Sequence, residues 1–221
     1  MYTPTRSWLN ANDAQPCSSK FLEQQLEAIA PFNPGAMKTG MLYSRTLIDV
    51  VTVFVRNHSG ISLVVDPVMI ATSGSSLLQP SAISALKKLL LLSALVTPNI
   101  PEAEALAGVE IDDIEDQRRA ARTLHDRFHC AVLIKGGHMK GAREMADIYY
   151  DGSEEWLHVA PLIRAVGTHG TGCMLSAAIT ANLTLKHSLP EAVKRAKKFI
   201  TGAIANSTKA GKYDVLNPFW K

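Results

Sequence analysis

With 221 residues, 47% of them hydrophobic, the chain can fill one continuous core, which excludes a disordered or fibrous protein. Its 23 Lys and Arg against 20 Asp and Glu give a formal charge of +3 without a run of like charges, so neither a nucleic-acid arm nor a membrane patch is encoded. The longest apolar run, residues 89–96, contains a serine and is too short to span a bilayer, residues 1–19 have no apolar signal core, and the three cysteines have neither disulfide-framework nor zinc spacing; a single-domain protein of the cytoplasm is expected.

From residue 20 onward helix-like and strand-like segments alternate, which predicts an α/β fold with a mostly parallel central sheet flanked by helices. Residues 21–29 (FLEQQLEAI) carry apolar side chains at 21, 22, 26 and 29, the spacing of an amphipathic helix that Ser18 or Ser19 can cap. A short strand over 36–39 turns at Gly40 into a helix over 44–56. Residues 62–65 (SLVV) read as a buried strand ending in Asp66-Pro67, 71–75 as a loop by composition, and 80–90 as a helix. A strand over 94–97 closes at Pro98-Asn99, and Pro101 suits the first turn of a helix reaching residue 106. A helix over 114–128 and a strand over 131–135, closed by Gly136-Gly137, repeat the unit. Residues 145–150 and 154–159 flank Asp151-Gly152 as a hairpin, the one antiparallel element expected. A glycine-rich loop over 167–172 leads to helices over 173–185 and 190–204, and no internal repeat or linker interrupts the chain.

The loop Gly167-Thr168-His169-Gly170-Thr171-Gly172-Cys173 carries the strongest chemical signal. Glycines let backbone approach a ligand, and the amides and dipole of a helix N-terminus favour a negative group, so the loop suits a phosphate in transfer; a plain turn joining hairpin to helix fits the same residues. Cys173 opens the helix, where it can serve as base or hydrogen-bond acceptor for a substrate hydroxyl or simply pack beneath the loop. Asn99 and Glu102 lie past a strand end, on the side of a parallel sheet where ligands bind, and suit a Mg2+ ion held directly or through water. Capping of the helix accounts for Glu102 equally well. Lys135 ends another strand and can meet a phosphate as a point charge, while His138 reads as a loop residue. Lys38-Thr39-Gly40-Met41 and Asp66-Pro67-Val68-Met69 end two further strands, so these loops are expected to converge on one edge of the sheet. The Walker A lysine motif is absent.

The strings MKTGML (37–42), VVDPVMIATSGSSLL (64–78), LVTPNIPEAEAL (95–106), VLIKGGH (132–138), DIYYDG (147–152) and THGTGCMLSAAI (168–179) resemble, in order and spacing, the hydroxymethylpyrimidine/phosphomethylpyrimidine kinases of thiamine biosynthesis, over about residues 20–204. The resemblance implies a ribokinase-like fold that moves the γ-phosphoryl group of ATP, with Mg2+, onto the 5-hydroxymethyl group of 4-amino-5-hydroxymethyl-2-methylpyrimidine and then onto its monophosphate. It maps Cys173 to the catalytic position and Gly170, Thr171 and Gly172 to an anion hole. Met41 and Val68, with Gly40 and Asp66, map to the pyrimidine site, Asn99, Lys135 and Thr168 to the ATP phosphates, and Glu102 to the metal.

Departures from the family pattern lie at both ends. The family begins with a strand and a GSDPSGGAG-type segment, then a helix and a second strand leading to a glutamine that binds the pyrimidine. Residues 3–7 contain no Gln, so the N-terminal βαβ portion is expected to be missing. A sheet uncovered in this way favours a homo-oligomer, a dimer. The tail reads GKYDVLNPFW over 211–220 where the family often has GHGPVNHF. Two alternatives share the loop chemistry: a non-catalytic nucleotide-binding remnant of the family, and a pyridoxal kinase.

Overall fold

Unbroken apolar runs such as SLVV and AVLI fit strands covered on both faces. The structure, a computed structural model that describes residues 16–70, 77–136, 144–161, 170–211 and 213–220, uses them in that way. Strands β1 (Ala36–Thr39), β2 (Ser62–Val65), β3 (Leu95–Val96) and β4 (Ala131–Ile134) pair in parallel in that order. Strands β5 (Glu144–Tyr150) and β6 (Glu155–Pro161) extend the same sheet as an antiparallel hairpin. Helix α1 (Ser19–Ile29) precedes the sheet, and α2 (Arg45–Asn57), α3 (Ile83–Leu90), α4 (Ile100–Ala107) and α5 (Ile114–Phe128) lie between the parallel strands. Helices α6 (Thr171–Thr184) and α7 (Leu189–Ala205) follow it.

Successive strand residues point to opposite faces, and the two cores divide accordingly. Leu63, Val65, Val96, Val132, Ile134 and Ile148 join Ile48, Val51, Leu89, Leu106 and Leu124 of α2 to α5. On the other face Val64, Leu95, Leu133 and Tyr149 meet Leu175 and Ile179 of α6 and Val193, Ala196 and Ile200 of α7. All helices between parallel strands thus sit on one face, as a run of same-handed crossovers requires. The mostly parallel sheet flanked by helices is the arrangement that the sequence predicts.

Helix ends follow from their capping residues. Ser18 Oγ accepts from Phe21 N at 3.2 Å and Ser44 Oγ from Leu47 N at 3.5 Å. Asp113 and Asp116 form a complete capping box at the start of α5. Several boundaries differ from the sequence reading. Residues 80–82 form a 3-10 turn before α3 begins. Strand β3 has two residues rather than four, although Ala94 N and Thr97 N still bond to Leu63 O and Val65 O of β2. Two elements were not anticipated, a 3-10 turn over Ala30–Phe32 and a small antiparallel pair, β7 (Thr208–Ala210) with β8 (Tyr213–Val215).

One buried ion pair ties α7 to the hairpin. Lys197 bonds to Asp147 Oδ2, both side chains being almost fully buried, and Asp147 Oδ1 accepts from Gly136 N at 2.8 Å. His158 stands opposite Asp147 across the β5–β6 ladder. Burial, then the Lys197 charge, hold its imidazole below the ordinary value of 6.5, with Asp147 acting in the opposite sense. A lowered histidine favours folding above its unfolded value, and that contribution is lost as pH falls below 6.5 through the folded value. NMR titration of His158 is expected to show this depressed midpoint, and Lys197→Met to move it upward; an unshifted midpoint in the wild type would contradict the geometry.

Candidate active site

The carboxyl ends of the parallel strands carry the polar residues that the apolar strands cannot use. Asp66 follows β2, Thr97 and Asn99 follow β3, and Lys135 follows β4. Lys135 Nζ meets Asp66 Oδ1 at 2.7 Å, and the Thr97 hydroxyl donates to the same oxygen at 3.4 Å. The Asp66 side chain is 3% exposed and that of Lys135 16%. The Lys135 backbone N–H bonds to Pro98 O at 2.8 Å, and Lys135 pairs with Asn99 in an isolated parallel bridge, so β3 and β4 deliver their ends together.

Glu102 lies in the first turn of α4 and is buried. Asn99 Oδ1 accepts from Glu102 N at 2.9 Å while Glu102 Oε2 accepts from Asn99 N at 3.0 Å, which completes a capping box. Its other oxygen accepts from Met69 N at 3.2 Å and so fastens the loop after β2 to α4. Burial pushes the carboxyl above its ordinary value, while the Lys135 charge and the two backbone N–H bonds pull it down. Capping is therefore what the Glu102 side chain visibly does, and the link to Met69 is a role that sequence reasoning missed. Two carboxylates, Asp66 and Glu102, face one ammonium, Lys135. One acidic charge in excess suits a divalent cation among phosphates, and Asp66 Oδ2 and the two Glu102 oxygens keep lone pairs for water or metal.

The glycine-rich loop ends at the same place. Gly170 caps α6 with φ 85°, a left-handed conformation that favours glycine. The helix begins at Thr171, two residues earlier than the sequence suggests, so Gly172 and Cys173 fall within its first turn. The first intrahelical bond runs from Met174 N to Gly170 O, and the amides of Gly172 and Cys173 project from the N-terminus. A Cβ added to Gly172 would stand 3.1 Å from Lys135 Nζ and 4.0 Å from Asp66 Oδ2. Gly172, Lys135 and Asp66 are thus immediate neighbours.

The ends of β2, β3 and β4 and the α6 N-terminus therefore meet on one edge, as the sequence predicts for these loops. The end of β1 joins them through Lys38, whose Nζ donates to Ser176 Oγ at 3.2 Å. Gly40, Met41 and Val68 are partly buried at the ends of β1 and β2, and neither Met41 nor Val68 belongs to a core cluster. Cys173 is exposed. Thr168, His138 and the loop over 71–75 lie outside the described residues. Sequence reasoning did not single out Thr97 or Ser176; a hydroxyl at the end of an apolar strand and a serine one turn past the cysteine were the available signals.

The chain matches the phosphomethylpyrimidine kinase family over residues 5–217, a wider span than 20–204. It is 37% identical over 205 residues to the hydroxymethylpyrimidine/phosphomethylpyrimidine kinase of Bacillus subtilis, covering 92% of this chain and 76% of that protein. It is 42% identical over 194 residues to the thiamine biosynthesis bifunctional protein ThiED of Geobacter sulfurreducens, covering 87% of this chain but only 39% of that protein. Among solved structures, the pyridoxal kinase of Staphylococcus aureus in complex with AMP-PCP and pyridoxal superposes with a TM-score of 0.83 at 33% identity, over 92% of this chain and 74% of that one.

Proposed function

The chain belongs to the phosphomethylpyrimidine kinase family, and from that membership we propose that it transfers the γ-phosphoryl group of ATP to 4-amino-5-hydroxymethyl-2-methylpyrimidine and to its monophosphate, in thiamine biosynthesis. The observation that carries this reading furthest is the meeting of Lys135, Asp66 and Glu102 with the first turn of α6. Phosphoryl transfer needs little covalent help from the protein and mostly positioning and charge stabilisation. The N-terminal amides of α6 at Gly170, Thr171 and Gly172 would receive the phosphoryl oxygens. Lys135, Asn99 and Thr168 would hold the nucleotide phosphates, while Gly40, Met41, Val68 and Asp66 would line the acceptor. Cys173 would accept the proton or a hydrogen bond from the acceptor hydroxyl. Glu102, with Asp66 beside it, would hold Mg2+ through water, and the ion would neutralise charge on the phosphates.

A pyridoxal kinase is the second reading, favoured by the likeness to the Staphylococcus aureus enzyme. Assays with Mg2+–ATP and either the pyrimidine alcohol, its monophosphate or pyridoxal decide between them; turnover of pyridoxal alone would overturn the pyrimidine assignment. The proposal extends to one catalytic domain, a homodimer and a cytoplasmic location. Three free cysteines suit a reducing compartment, and among the described residues no helix is long and apolar enough to cross a membrane.

Calorimetry with a non-hydrolysable ATP analogue and Mg2+ is expected to give saturable binding even where turnover is slow, because Asn99 and Lys135 sit at strand ends beside the α6 N-terminus. A folded sample that binds nothing at millimolar analogue would remove both the kinase and the nucleotide-binding remnant from consideration.

A further inference from the structure

Two lysines stand at strand ends beside α6, and their surroundings differ. Lys135 is neutralised by Asp66 at 2.7 Å. Lys38, on β1, is partly buried and enters none of the ion pairs formed among the described residues. Its Nζ donates to Ser176 Oγ at 3.2 Å, and Ser176 in turn donates to the Cys173 carbonyl at 3.1 Å. The same Nζ lies 3.4 Å from where a Cβ would stand on Gly40, at the strand end assigned to the acceptor. An ammonium drawn away from water is unfavourable unless an anion compensates it, and a hydroxyl dipole does so only in part. An ammonium also carries three N–H donors, of which Ser176 takes one.

We propose that Lys38 is a phosphate-binding residue of this site, its ammonium meeting a phosphate oxyanion on the acceptor side of α6 while Lys135 serves the nucleotide side. The proposal rests on the kinase reading above. Its strength comes from contrast: among the described residues one lysine of the pair already has its counter-charge, and the other has a serine that links it to the backbone of Cys173. The oxyanion has two possible sources, the phosphate already present on a monophosphorylated acceptor and the phosphoryl group in transit. In either case Lys38 binds and orients, and takes no part in making or breaking a bond.

The test uses the full chain with Lys38→Met and Lys38→Arg. Thermal unfolding is followed with and without inorganic pyrophosphate, and kcat/KM is measured for the free alcohol and for its monophosphate at saturating Mg2+–ATP. Without ligand, Lys38→Met is expected to melt no lower than wild type, because the lost ammonium has no carboxylate partner among the described residues. The stabilisation that pyrophosphate gives the wild type should fall by at least half, and kcat/KM by about 10- to 100-fold, the range for a charge-assisted hydrogen bond. Lys38→Arg should recover most of both. A fall confined to the monophosphate assigns the oxyanion to the acceptor, and an equal fall on both assigns it to the transferred group. Wild-type levels of pyrophosphate stabilisation and turnover in Lys38→Met would overturn the proposal, as would a lower melting temperature that Lys38→Arg does not restore, which marks a structural strut. If the wild type turns over neither acceptor, the kinase reading fails, and the pyrophosphate shift still decides the role of Lys38: no shift, or an equal one in Lys38→Met, overturns it.

Discussion

Cys173→Ala is expected to lower kcat by about 10²- to 10⁴-fold, the usual range for losing a group that takes a proton in the transition state. ATP affinity should barely change, since the nucleotide side is assigned to Lys135 and the backbone around Gly172. Cys173→Ser keeps size and polarity without the acidity of a thiol and should rescue little. Geometry supplies an independent check. Cys17 and Cys173 are both exposed, whereas Cys130 is buried. Iodoacetamide should therefore label the first two in the folded protein, and a bound ATP analogue should protect Cys173 and leave Cys17 unaffected. Full turnover by Cys173→Ala would reduce the thiol to packing, and protection equal at both cysteines would remove it from the nucleotide's reach.

The largest effect on stability is expected at Lys197. Lys197→Met leaves the buried Asp147 carboxylate, among the described residues, with only the Gly136 N–H, and breaking a buried pair from one side typically costs about 3–5 kcal/mol. For a chain of this size that lowers Tm on the order of 10 °C. The double variant Asp147→Asn/Lys197→Met removes both charges, and the new amide oxygen can still accept from Gly136 N, so most of the loss should return. Arg45→Ala provides the contrast. Its partner is Asp49 at 3.4 Å, with side chains 66% and 54% exposed, and such surface pairs contribute about 0–1 kcal/mol. Urea titrations measure all three; a Lys197→Met midpoint within error of wild type would show that the pair is not closed in solution.

The fold was legible because its signals are local. Apolar runs marked β2 and β4, Ser18 or Ser19 marked the start of α1, and Asp151-Gly152 marked the hairpin. The β7–β8 pair escaped because strands of three residues, those of β7 all exposed, carry no alternation, and only Gly211 hinted at a turn. The site was half legible. Each strand-end motif could be named, and their meeting on one edge follows from a parallel sheet. What could not be read is which polar groups satisfy one another, since Lys135 and Asp66 lie 69 residues apart and Lys38 and Ser176 lie 138 apart. The Lys197–Asp147 pair left a readable trace, a lysine in the apolar phase of α7 between Val193, Ala196 and Ile200.

One face of the sheet is buried by α6 and α7, and the contacts of α6 with β1 and β2 run back across most of the chain. During synthesis Val64, Leu95 and Leu133 leave the ribosome long before Leu175, Ile179 and Ile200 arrive to cover them. At roughly 5–20 residues per second the gap between β2 and α7 lasts on the order of 10 s. Over that interval the nascent chain presents a one-sided sheet with its first helices already docked, the species most prone to stick to a neighbour on the same polysome and the one a ribosome-associated chaperone would hold. A truncation within α7, which leaves that face without Val193, Ala196 and Ile200, should give aggregate in place of a loosened monomer.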